Sequence, residues 1–184
     1  DEGDEGEDGD GDAAPPPTRP RPPPTRRVIF LDLDGVLNTR PDPRFVSIEG
    51  GPCAMLRRLL DAAGAELVLS SPWRRHHQYI AQVLTNFGVF GGDRDDDGAP
   101  ARPPDLERTP FNIDPSRRDL EILQWLGERR GQVAAWVAID AADLLRFASR
   151  GRMEGHFVRV FPDAGGLGLR EVQEALALMG GGSG

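Results

Sequence analysis

Residues 28–31, Val-Ile-Phe-Leu, form a continuous apolar run that ends abruptly in Asp32-Leu33-Asp34-Gly35. A run this short, without alternation, fits a strand buried on both faces. Such a strand needs apolar cover above and below, which points to a sheet between two layers of helices.

The rest of the chain supplies those layers. Residues 53–63 read as a helix, with Met55, Leu56, Leu59 and Leu60 at helical spacing and Gly64 as the stop. Glu66–Leu69 reads as a second buried strand. Pro72 suits the first position of a helix running to about Phe87, because the N–H it lacks is not needed there. Val89–Phe90 is a candidate third strand, and 91–115, rich in Gly, Pro and Asp, reads as a long loop of the kind that often serves binding. Ser116 can cap a helix to about Arg130. Ala134–Ile139 reads as a strand, Ala142–Ala148 as a short helix, His156–Val160 as a last strand and Leu169–Met179 as a final helix. Strands alternating with helices predict an α/β fold with a mainly parallel central sheet.

Composition separates this body, 28–179, from its ends. The chain of 184 residues has 22 basic and 30 acidic side chains, but residues 1–12 alone hold eight of the acids and no base. The remainder is therefore neutral, 22 against 22. Residues 1–27, acidic and then proline-rich, and the Gly-rich 180–184 have too few apolar groups to offset the entropy of ordering, and are expected to be disordered tails. A neutral body carries no strong nucleic-acid signal. No apolar run approaches the ~18–20 residues of a membrane helix. All the basic residues are arginine, which excludes chemistry that needs lysine, such as a Schiff base or a Walker-type phosphate loop. The lone Cys53 cannot form an internal disulfide; a reducing intracellular compartment, the cytoplasm, is the most compatible setting. Oligomeric state is not legible.

In sheets of this type ligands bind beyond the carboxyl ends of the strands. Asp32 and Asp34 follow the first strand, Ser70 and Ser71 the second, and Asp140 the strand at 134–139. Carboxylates gathered at one edge repel each other unless a cation lies between them, and hard oxygen ligands suit Mg²⁺.

Phe30-Leu31-Asp32-Leu33-Asp34-Gly35-Val36-Leu37-Asn38 resembles the first signature of the haloacid-dehalogenase-like (HAD) phosphohydrolase superfamily. Leu67-Val68-Leu69-Ser70 is similar to the second motif, Ser116-Arg117-Arg118 to the third, and Trp136-Val137-Ala138-Ile139-Asp140 to the fourth. Ser70-Ser71-Pro72-Trp73-Arg74 and Arg118-Asp119-Leu120-Glu121-Ile122 are similar to segments of small members with little cap.

The resemblance implies a Rossmann-like three-layer sandwich with a minimal (C0-type) cap, and a Mg²⁺-dependent phosphomonoester hydrolase working through an aspartyl phosphate. It makes Asp32 the nucleophile and Asp34 the general acid and base. Mg²⁺ would be held by the Asp32 carboxylate, the Asp34 carbonyl and Asp140. Ser70 or Ser71 would bind the substrate phosphate, with Ser71 the better fit to a helix cap. Arg118 or Arg117 would neutralise its charge, with Arg118 better matched to the Arg-x-x-Glu-Ile pattern.

The substrate would be a phosphorylated small molecule or nucleotide. Residues 38–52, with Arg40, Arg44 and Phe45, read as a flap. Trp73 fits substrate stacking or packing equally, and His76 and His77 read as surface residues of a helix. One departure stands out. Ala141 replaces the second acid usual in the fourth motif, with Asp143 nearby. It motivates an alternative: a weak or inactive HAD-like phosphate- or protein-binding module. A receiver domain is disfavoured, since its phosphate-contacting lysine cannot exist here.

Overall fold

The structure is a computed structural model that describes residues 23–91, 102–112 and 114–180. The acidic stretch and most of the proline run, residues 92–101 of the long loop, and 181–184 lie outside the described residues.

Among the described residues are five strands: β1 (Arg26–Leu31), β2 (Glu66–Leu69), β3 (Glu107–Arg108), β4 (Val133–Asp140) and β5 (Phe157–Arg159). They pair in the order β3-β2-β1-β4-β5, all parallel. The helices are α1 (Gly50–Ala63), α2 (His77–Asn86), α3 (Arg118–Glu128), α4 (Arg150–Met153) and α5 (Leu169–Gly180). None is long and apolar enough to cross a membrane.

The central position of β1 explains its composition. It pairs with β2 on one side (Leu31 opposite Leu69) and β4 on the other (Leu31 opposite Ile139). Residues 28–31 are all fully buried. Ile29 and Leu31 join one core with Leu56 and Leu59 of α1, Ile80 and Leu84 of α2, and Val172 and Met179 of α5. Val28 and Phe30 face the other layer, with Ile122 and Trp125 of α3 and Met153 of α4. Each face of a strand takes every second residue, so a strand covered twice must be apolar throughout. The result is the three-layer α/β sandwich expected from the sequence.

Several boundaries differ. Helix α1 starts at Gly50, because Pro52 sits in the first turn, where a missing N–H costs nothing. This shortens the flap to 38–49, whose regular structure is one bridge between Asp42 and Phe45. The Pro72 helix begins as a 3₁₀ turn, Pro72–His76, before α2. Val89–Phe90 is a turn and not a strand. The edge strand is instead Glu107–Arg108, inside the segment expected to be loop. Two polar residues on a solvated edge have no apolar pattern to betray them. Ser116 does not cap α3; its hydroxyl donates to Asp114 Oδ1 at 2.7 Å, and Arg117 precedes the helix. The expected 142–148 helix is a 3₁₀ turn at Leu144–Arg146 followed by α4.

Candidate active site

The sheet order reverses beside β1. From β1 the chain steps to β2 and β3 on one side, then crosses to β4 and β5 on the other. A crevice forms beyond the carboxyl ends at such a switch point. The ladder continues past the strands: Asp32 N donates to Ile139 O at 3.0 Å, Ser70 N to Leu31 O at 2.9 Å and Val160 N to Asp140 O at 3.0 Å. These bonds hold Asp32, Ser70 and Asp140 at one edge, each almost fully buried.

Arg118, the first residue of α3, joins two of these acids. Its Nε and one terminal nitrogen donate to the two oxygens of Asp140, both at 2.6 Å. The same terminal nitrogen lies 3.4 Å from Asp32 Oδ2. Burial works against the guanidinium charge, but Asp140 and Asp32 outweigh it and hold Arg118 protonated above its ordinary range. Burial and the neighbouring Asp140 push the Asp32 carboxyl well above its ordinary value, against the pull of Arg118. Arg117, the other candidate, turns away. It donates to Asp119 at 2.9 and 2.8 Å and lies over the ring of Phe147.

Asp34 stands at the start of the turn after β1. Gly35 makes this turn possible with φ +79°, and a Cβ there would lie 2.7 Å from Pro162 Cγ and 2.8 Å from Ala141 Cβ. Asn38 ties the turn down. It accepts from Gly35 N at 2.8 Å and donates to Ser47 O at 2.7 Å and Asp34 Oδ1 at 3.2 Å. The other Asp34 oxygen accepts from Trp73 Nε1 at 2.8 Å. Asp34 and Trp73 line a pocket of about 310 Å³ with Pro43, Pro72, Arg75 and His76. A larger cavity, of about 660 Å³, opens at the other end of β2, by Glu66 and Glu107, and holds none of these residues.

Ser71 is fully buried, and its side chain accepts from Trp73 N at 3.2 Å, capping the 3₁₀ turn. Asp143 is engaged elsewhere. It accepts from Leu145 N at 3.0 Å and lies 3.4 Å from Arg159. Ala141 packs where a second acid would stand, against the Gly35 turn.

Among the described residues no group of three or more His, Cys, Asp or Glu side chains is gathered for a metal. The set implied by the resemblance needs only two carboxylates and one main-chain carbonyl. Two features fit a hard cation there. Asp32 Oδ1 is buried with no hydrogen-bond partner. Arg118 also brings one positive charge to two buried carboxylates, leaving an excess of negative charge that a dication would offset.

Sequence reasoning did not foresee the buried ion pair behind the site. Arg74 Nη2 donates to Glu121 Oε1 at 2.6 Å, with the two side chains 3% and 1% exposed. Arg74 also donates to the carbonyls of Ser71, Thr109 and Pro110. It thereby ties the loop after β2 to α3, the helix that carries Arg118. The Ser-Ser-Pro-Trp-Arg and Arg-Asp-Leu-Glu-Ile segments were the available signal. No spacing rule says that residues 47 apart touch.

A family model described as the HAD domain in Swiss Army Knife RNA repair proteins matches residues 28–171. Neither a curated protein nor a solved structure matches the chain.

Proposed function

The chain belongs to the HAD domain family of Swiss Army Knife RNA repair proteins, and on that footing we propose that it hydrolyses phosphomonoesters through an aspartyl phosphate on Asp32, with Mg²⁺ as cofactor. Membership makes it a HAD-type phosphohydrolase domain in general terms. The specific reading rests on one observation: the buried Asp32–Arg118–Asp140 array lies beside an acid, Asp34, that lines a pocket.

In this reading an Asp32 carboxylate oxygen forms the bond to phosphorus as the bond to the leaving oxygen breaks. Asp34 gives that oxygen a proton. It then takes a proton from the water that attacks the same phosphorus, releasing inorganic phosphate and restoring Asp32. Arg118 offsets charge on the transferring group. Ser70, buried at the end of β2, is the phosphate-side hydroxyl; the capping bond of Ser71 makes it the weaker candidate. Asp32, the Asp34 carbonyl and Asp140 would hold Mg²⁺, which supplies charge neutralisation between nucleophile and phosphate.

The family description attaches these domains to RNA repair proteins. A terminal phosphate on an RNA strand is a phosphomonoester, so we rank it first among candidate substrates, beside mononucleotides. The test compares wild type with Asp32→Asn on a nitrophenyl phosphate and on end-phosphorylated oligonucleotides. Turnover that needs Mg²⁺ and vanishes in the variant is the expected result. Activity retained by Asp32→Asn overturns the mechanism.

A second reading, a phosphate- or protein-binding module without turnover, is favoured by Ala141 and by the engagement of Asp143 with Leu145 and Arg159. Calorimetric binding of phosphate with no hydrolysis by wild type would select it.

A further inference from the structure

We infer that Trp73 is a positioning residue for Asp34. The inference rests on the phosphatase reading above and goes beyond it, to what aims the acid. The indole Nε1–H donates to Asp34 Oδ2 at 2.8 Å, across 39 residues of sequence. Asn38 donates to the other oxygen. The carboxyl group is thus held at both ends by nitrogen donors that have no lone pair to offer it. These two bonds fix the orientation of the carboxyl group at the edge of the pocket it lines.

Trp73 is itself fixed. Its backbone N–H bonds to Ser71 Oγ, Pro72 stiffens the turn, and its ring packs on the core that includes Leu33 and Leu37. It also lines the pocket beside Asp34, with Pro43, Arg75 and His76. One side chain therefore connects the loop carrying Ser70 to the acid that Asp32 needs as its partner.

The test is Trp73→Phe, which keeps an aromatic ring and removes the N–H. The measured quantity is kcat/KM on a series of aryl phosphates, from dinitrophenyl, whose oxygen leaves without a proton, to phenyl, whose oxygen needs one. This quantity reports the step that forms the aspartyl phosphate. General acids contribute about 10²–10⁴-fold, and misplacement loses part of that. Trp73→Phe should cost about 10-fold or more on phenyl phosphate and under about twofold on dinitrophenyl phosphate. Asp34→Asn supplies the reference, with the same trend and a deeper loss. An equal loss on every ester, or no loss on phenyl phosphate, overturns the inference, since packing or binding alone would be leaving-group blind. Wild type inactive on all esters, or Asp32→Asn as active as wild type, fails the underlying reading instead, and the two failures are distinguishable.

Discussion

Glu121→Gln should destabilise the domain far more than its single-atom change suggests. Gln keeps the shape and leaves an oxygen to accept from Arg74 and from Asn112 N, which now lies 2.8 Å from Glu121 Oε1. What it removes is the countercharge of a guanidinium only 3% exposed. Breaking a buried pair by removing one partner costs about 3–5 kcal/mol, because the remaining charge stays desolvated. Arg74 retains three carbonyl partners and the Phe111 ring 4.0 Å from its Cζ. These hold the cost near the lower limit, about 3 kcal/mol. At about 2–4 °C per kcal/mol for a domain of this size, Tm should fall by about 6–12 °C. Thermal unfolding followed by circular dichroism, with urea titration as the check, measures it. A surface pair would shift Tm by no more than about 4 °C, from about 1 kcal/mol. A fall within that smaller range refutes the claim that the buried charge governs this contact.

Gly35→Ala should both destabilise and inactivate, because its Cβ would lie 2.7 Å from Pro162 Cγ at a backbone angle of +79°; overpacking alone costs about 1–3 kcal/mol, and a normal Tm would disprove the crowding. Burial pushes the Cys53 thiol up to about 12, so iodoacetamide should leave it unmodified at neutral pH until urea unfolds the protein; labelling of the native protein at the unfolded rate counts against this. Burial would raise Asp119, but Arg117 and Ser149 outweigh it and hold its carboxyl below the ordinary value. Its stabilisation is present above the unfolded pKa and lost as pH falls through the lower folded pKa. Asp119→Asn should therefore flatten the acid arm of the stability profile below about pH 4, as read by urea midpoints at stepped pH.

Much of the site was legible along the chain because a parallel sheet projects strand ends to one edge. Once Val28–Leu31, Glu66–Leu69 and the strand at 134–139 are read as parallel neighbours, Asp32, Ser70 and Asp140 must meet. The edge strand Glu107–Arg108 was not legible, because two polar residues carry no periodicity and owe their pairing to Val68 and Leu69. The cap expected at Ser116 failed because Asp114 captures its hydroxyl. Local propensity cannot see that competition.

By itself the sequence determined the layered fold, the acids at the strand ends and the arginine-only source of positive charge. Those follow from local pattern and residue type. Tertiary structure alone decided which arginine meets the acids. Arg117 and Arg118 are neighbours in the chain, yet the change of backbone conformation at the start of α3 sends one to Asp119 and the other to Asp140 and Asp32. It also decided that Trp73 holds Asp34 and that Arg74 holds Glu121. Arg117 precedes the helix with non-helical backbone angles and Arg118 opens it, so their side chains leave in different directions, and contacts across tens of residues depend on how whole layers pack. Neither is written in the spacing of one segment.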